Sequence, residues 1–130
     1  HEIPYVATAS VADVRDLEDK VTKAMSIRGA RYIHILVPCP LGWGSAPQDT
    51  VKLARLATES GLFPVFEAEN GEVTERYTIR RKIPVEEYLK PQRRFAHLFK
   101  PKLQSDVIAR LQASADRNIR RYRLIDSEDY

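Results

Sequence analysis

Ile3-Pro4-Tyr5-Val6-Ala7-Thr8-Ala9, a charged stretch running to Gly29, and then Arg31-Tyr32-Ile33-His34-Ile35-Leu36-Val37: this succession decides the fold. The first run is short, apolar and β-prone, as a buried strand is. Ser10, with Asp13 three positions on, has the form of an N-cap followed by an acidic first-turn residue. Val14, Leu17, Val21 and Ala24/Met25 then recur at helical spacing, with Asp16, Glu18, Asp19, Lys20 and Lys23 between them. Gly29 suits the helix exit, since glycine tolerates a left-handed backbone. Arg31 to Val37 is a nearly continuous apolar run. Strand, helix, strand with short joints is a βαβ unit, and its two strands should run parallel.

Working outward, the loop Pro38–Ala46 holds two Pro, two Gly, the only Cys and the only Trp of the chain. Ser45 and Gln48 have capping-box spacing, and Pro47 is tolerated in a first turn. A helix is expected from about Pro47 to Ser60, ended by Gly61. Leu62–Ala68 and Glu72–Ile79 flank Asn70-Gly71, a pair that predicts a hairpin because both positions of a type I′ turn need positive φ. Beyond Ile79 the pattern turns helical and basic. A short helix spans Pro84 to Leu89, stopped by Pro91, with Glu86-Glu87 as a first-turn acidic pair. Arg93 to Phe99 gives a further turn or two. A longer helix from about Leu103 to Tyr122 has Val107, Ile108, Leu111, Ala115 and Ile119 on one face. Residues 1–80 thus read as an α/β body and 81–130 as a basic helical extension.

At 130 residues and 43% hydrophobic content, the chain is the size of one domain. Such a chain buries roughly two-thirds of its unfolded surface. No apolar stretch approaches the roughly 20 residues that cross a bilayer, and no signal peptide is visible. A single cysteine argues against a disulfide framework and fits a reducing, cytoplasmic setting. The chain starts at His1 rather than Met, as an excised or processed segment would. The net charge of +3 hides a division: residues 1–79 carry 8 Lys/Arg against 11 Asp/Glu, residues 80–123 carry 13 against 4, and Asp126, Glu128 and Asp129 make an acidic tail. The basic stretch is either a solvated face or a surface for an acidic neighbour. Arg117, Arg120, Arg121 and Arg123 would also suit phosphates, but no nucleic-acid-binding signature accompanies them.

Few residues carry chemistry. Gly42-Trp43-Gly44 lacks the later glycine and the lysine of a phosphate loop. No nucleophile elbow supports a Ser-His-Asp site. His34, in an apolar strand, is expected to be a satisfied core histidine, and His97 to be structural or at an interface. Cys39 sits at the mouth of a strand, where α/β proteins commonly hold ligands. One thiol completes neither an internal disulfide nor a metal site. It is either a small buried hydrophobe or one contributor to a site whose other members lie elsewhere.

The residues also carry a resemblance. His1-Glu2-Ile3-Pro4-Tyr5-Val6-Ala7-Thr8-Ala9-Ser10, Ile33 to Pro40 with Gly42-Trp43, and Leu53-Ala54-Arg55-Leu56-Ala57 through Gly61-Leu62-Phe63-Pro64 come in a telling order. With Pro84-Val85-Glu86-Glu87-Tyr88-Leu89 and Arg94-Phe95-Ala96-His97-Leu98, they resemble the C-terminal part of the β subunit of pyruvate:ferredoxin oxidoreductase and related 2-oxoacid:acceptor oxidoreductases. The match covers roughly residues 1–100. It implies an α/β fold: a partial thiamine-diphosphate-binding-type parallel sheet with a β-hairpin and a helical C-terminal extension. Residues 1–80 would be the C-terminal half of a thiamine-diphosphate-binding domain. The implied activity is oxidative decarboxylation of a 2-oxoacid, most simply pyruvate, to acyl-CoA and carbon dioxide, with electrons passed to iron–sulfur clusters and ferredoxin.

The implied cofactors of the complete enzyme are thiamine diphosphate, magnesium and a 4Fe-4S cluster. The implied partners are the rest of the β subunit and the other oxidoreductase subunits. By resemblance Cys39 is the last of four cysteine ligands to that cluster, with Gly42 and Gly44 shaping its loop and Trp43 shielding it. The family's Gly-Asp-Gly…Asn motif and the other cysteines are absent here, so no complete cofactor is expected on this chain, and alone it should be inactive. Pro91-Gln92-Arg93-Arg94-Phe95 carries Arg93 where the family usually has Gly. The competing expectation is a non-catalytic module whose basic extension docks an acidic protein or a nucleic acid.

Overall fold

The computed structural model describes residues 2–126. His1, and Glu128 and Asp129 of the acidic tail, lie outside the described residues. The βαβ unit forms as its pattern requires: β1 (Tyr5–Ser10), α1 (Val14–Ser26) and β2 (Arg31–Leu36), with β1 and β2 parallel and in register from Tyr5 opposite Arg31 to Ser10 opposite Leu36. A helical turn, α2 (Pro40–Trp43), leads through a 3₁₀ turn at Pro47–Asp49 into α3 (Thr50–Glu59). The hairpin follows as β3 (Phe66–Glu69) and β4 (Glu72–Arg76), with Asn70 and Gly71 both at positive φ. β3 pairs antiparallel with β1, so the four-stranded sheet, in the order β2-β1-β3-β4, is mixed. The chain closes with α4 (Val85–Leu89), a 3₁₀ segment Arg93–Leu98 and α5 (Ser105–Tyr122).

Two helix starts differ from expectation. Asp13, not Ser10, caps α1: its carboxylate accepts from Asp16 N at 3.1 Å, while Ser10 Oγ accepts from Ala12 N at 3.2 Å in the preceding turn. The Ser45–Gln48 capping box does not form, because the chain enters α3 through the 3₁₀ turn capped by Ala46.

The layers are held by contacts that no single segment announces. Residues of α3, α4 and α5 share the largest apolar cluster, with Ala57, Val85, Leu89, Ile108 and Ala115 buried in it. Below the sheet, Tyr5, Ala7 and Ala24 bury against one another with Ile33 alongside. The hydroxyl of Tyr5 donates to Glu67 Oε2 at 3.0 Å, and Lys23 Nζ bridges Glu67 and Glu69 at 2.7 and 2.9 Å. Burial, and then the Glu67 hydrogen bond, push the Tyr5 phenol far above its ordinary range; bonds to Glu67 and Glu69 raise Lys23.

α1 buries less of its apolar stripe than its periodicity predicts. Lys20 is 3% exposed, its ammonium donating to Thr8 O at 2.9 Å and Asp16 Oδ2 at 2.7 Å. Val14, Val21 and Met25, by contrast, stand in solvent, Met25 at 75% exposure. At 100° per residue these three positions lie opposite Lys23, and so point away from β3. β2 is the edge strand on that side. Tyr32, Ile35 and Val37 along it are also exposed. His34 is likewise exposed rather than a core histidine, its ring edge-on to Phe63 at 5.4 Å. The physical reason is that an edge strand has no neighbour to close over its outer flank.

Candidate functional site

Val37-Pro38 carries the chain off the end of β2, and the Cys39 backbone, still extended (φ −97°, ψ 108°), becomes the N-cap of α2. Pro40 is pre-set for a first helical position. The turn closes when Trp43 N donates to Cys39 O at 2.9 Å. It ends at Gly44, whose φ of 65° is left-handed. Pro38 is fully buried and anchors the loop, whereas the Cys39 thiol is exposed and Leu41 is 96% exposed. The buried-hydrophobe alternative for Cys39 does not hold. A Cβ on Gly42 would lie 3.6 Å from Cys39 Sγ, so its glycine leaves that flank of the sulfur open.

The second wall of this loop comes from the 3₁₀ segment some fifty residues later. Arg93 N donates to Gly44 O at 3.2 Å. The Arg94 guanidinium carbon lies 3.8 Å from the Trp43 ring centroid and 4.6 Å from that of Phe95. Arg94 Nε donates to Gln92 Oε1 at 2.9 Å and its Nη2 to Tyr88 OH at 3.2 Å. Gln92 is itself buried and donates to Tyr88 O. Arg93, standing where the resembled family has Gly, takes no positive φ, so the side chain there is accommodated without left-handed strain. His97 is exposed in the same segment. Nothing in the sequence pattern pairs Arg94 with Trp43; only the Arg-Phe dipeptide hints that a guanidinium stacks locally.

Among the described residues, no group of three or more His, Cys, Asp or Glu converges as a metal site. A four-iron cluster takes four thiolates, and Cys39 is the only cysteine of the sequence. An exposed sulfur at a strand mouth, on a turn fixed by two prolines and open on the Gly42 flank, fits one ligand of such a cluster and no more. No helix among the described residues is long and apolar enough to cross a membrane.

No protein-family model matches this chain. It is 46% identical over 124 residues, 95% of its length, to the pyruvate synthase subunit PorB of Methanosarcina barkeri, and covers 42% of that protein. It is 49% identical over 98 residues to PorB of Methanocaldococcus jannaschii, covering 75% of this chain and 33% of that one. The ketoisovalerate oxidoreductase subunit VorB of Pyrococcus abyssi is 42% identical over 106 residues, covering 80% of this chain and 34% of that one. The chain therefore spans 33–42% of the length of these relatives. With this identity over most of its residues, and a mixed α/β sheet ending in a helical extension, the chain belongs to the β-subunit family of 2-oxoacid oxidoreductases and corresponds to part of such a subunit.

Proposed function

We propose that this chain is the C-terminal segment of the thiamine-binding β subunit of a cytoplasmic, multisubunit 2-oxoacid:ferredoxin oxidoreductase, with pyruvate and coenzyme A as substrates. The observation that carries this reading is the 46% identity to a pyruvate synthase subunit over 95% of the chain. In the complete enzyme, thiamine diphosphate with magnesium supplies the decarboxylation chemistry and 4Fe-4S clusters conduct the electrons to ferredoxin. Thiamine diphosphate and magnesium would be held by residues outside this chain, which lacks the motif for them.

Cys39 provides one thiolate to the cluster. Its support is threefold: exposure, position at the end of a parallel strand, and a turn whose prolines and glycines hold the sulfur in place while leaving room beside it. Trp43, bonded through its N to Cys39 O and stacked on Arg94, would shield the cluster from water. The open flank of β2, with the exposed Val14, Val21 and Met25 beside it, receives the remainder of the β subunit as a further parallel strand and its helix. In this reading residues 1–80 complete a thiamine-diphosphate-binding domain, and α4 and α5 brace it through the cluster shared with α3.

The test uses the whole assembly, because three of the four ligands lie elsewhere. Cys39→Ser is expected to remove or weaken the electron-paramagnetic signal of one 4Fe-4S cluster and to slow ferredoxin reduction. A signal of unchanged intensity and shape overturns the ligand assignment. Assaying the wild-type assembly with pyruvate and with ketoisovalerate separates the two kinds of relative: the reading requires pyruvate to be turned over with the higher kcat/KM.

A further inference from the structure

The sheet has two faces, and they are covered unequally. On the first, Tyr5 and Ala7 are buried with Ala24 of α1 and Ile33. Side chains alternate along a strand, so Val6 and Thr8 point to the second face. The pairing register then defines a row across all four strands: Tyr32 lies opposite Val6, Val6 opposite Ala68, and Ala68 opposite Val73. Residues directly opposite share a face, so four uncharged side chains, three of them aliphatic, stand side by side. Three strand spacings make the row about 14 Å long. Two residues further along β1 the same face is closed. There Thr8 Oγ1 donates to Pro64 O at 2.7 Å, His34 meets the edge of Phe63, and Phe66 stacks on Tyr122 at 4.6 Å. The row itself is left bare. Tyr32 and Val73 are half-exposed, and an open pocket of about 450 Å³ lies among Ile3, Val6, Tyr32 and Ala68.

Parallel strands such as β1 and β2 occur where helices cover both faces of their sheet. A helix with its side chains is about 10–12 Å wide, which matches the bare row. The pyruvate synthase subunit that this chain matches over 95% of its length is covered to only 42%, so more than half of such a subunit lies outside the chain. A segment tethered on the same polypeptide meets the row at high effective concentration. It also escapes the loss of translational freedom that a separate partner bears on binding. We propose that the row Tyr32–Val6–Ala68–Val73 is the seat of an apolar helix supplied by the part of the β subunit outside this chain. The inference rests on the reading of the chain as a segment of such a subunit. It names a contact separate from the β2 flank, because the row faces away from α1 and reaches β4, the opposite edge of the sheet.

Photo-cross-linking in the whole assembly tests this. The photoreactive residue p-benzoylphenylalanine replaces Val73 in one preparation and Val6 in another, both positions lying off β2, and mass spectrometry identifies the captured residues. Both positions are expected to capture one segment of the same β subunit, outside the residues of this chain, with the captured residues at helical spacing. Capture within one polypeptide leaves its mass on a denaturing gel unchanged, whereas capture between chains raises it. Capture of another subunit or of a second β subunit overturns the proposal, and so does an intact assembly that yields no cross-link. If the Val6 variant fails to assemble, Val73, at the exposed end of the row, decides alone by the same results. The functional reading falls by a different result, failure of the wild-type assembly to turn over pyruvate, and the cross-link then still decides the contact. A missing cross-link with pyruvate turnover retained removes the contact and leaves that reading standing.

Discussion

Gly44 shows how much a single position carries. Its backbone is left-handed at φ 65°, and a Cβ there would sit 2.6 Å from Arg93 Cβ. Two penalties coincide, the strain of a left-handed β-carbon and a clash with a side chain whose own backbone is bonded to Gly44 O. Gly44→Ala is expected to destabilise the chain by about 1–3 kcal/mol. Urea unfolding followed by emission of Trp43, the only tryptophan, measures it; a change within about 0.5 kcal/mol, the usual range of a neutral surface substitution, refutes it. At this scale the Cys39 loop was legible, because proline and glycine impose backbone geometry wherever they stand. Arg94 was not. Its stack on Trp43 joins residues far apart in the chain, and no local pattern encodes such a meeting.

At the scale of elements, α5 and α4 are coupled by a short polar relay. Gln112 Oε1 accepts from Val85 N at 3.0 Å, satisfying a free donor at the start of α4, and Gln112 Nε2 donates to Asp116 Oδ1 at 3.1 Å. Lys82 Nζ meets the same carboxylate oxygen at 3.0 Å. Burial works against the charged form of Asp116, yet the Lys82 and Gln112 bonds outweigh it and hold the carboxyl below its ordinary value. A carboxyl lowered in the folded state stabilises above its unfolded pKa, about 3.9, and that contribution is lost as pH falls through the lower folded value. Lys82 and Asp116 are about a third and a quarter exposed, so screening keeps the effect small. Asp116→Asn is expected to cost about 0.5–1 kcal/mol at pH 7 and to flatten the stability profile below about pH 4. Denaturation midpoints at pH 7 and pH 3.5 check it; a variant whose deficit is equal at both is the contrary result. The existence and type of these helices were legible from their 3.6-residue period and their stops. Their caps were less so, since Ser10 and Asp13 compete for one helix start and only the path of the chain out of β1 decides between them.

Considered whole, the molecule leaves one flank uncovered. Tyr32, Ile35 and Val37 of the β2 side and Val14, Val21 and Met25 of α1 are exposed together, as they would be if a parallel sheet and its helix layer had been cut between strands. Ile35→Lys places a charge where a further βα unit would dock, at a position already 39% exposed here. The expected outcome is near-normal secondary structure by circular dichroism together with loss of co-purification with the rest of the β subunit and the other subunits. Intact assembly carrying Ile35→Lys at wild-type yield is the opposing result.

What the sequence by itself determined is the succession of elements: the βαβ unit, the Asn-Gly hairpin, the helical extension and the Pro/Gly-rich break around Cys39. Each follows from forces acting over a few residues, namely backbone sterics, side-chain period and turn chemistry. Tertiary structure alone decided which faces are covered. Periodicity marks Val21 and Met25 as apolar but does not say whether anything packs on them; here Lys20 turns inward to Thr8 and Asp16 while the valine and methionine stay in water. It also decided that β3 joins β1 antiparallel and that Arg94 lies on Trp43, because such meetings depend on the positions of all the elements at once.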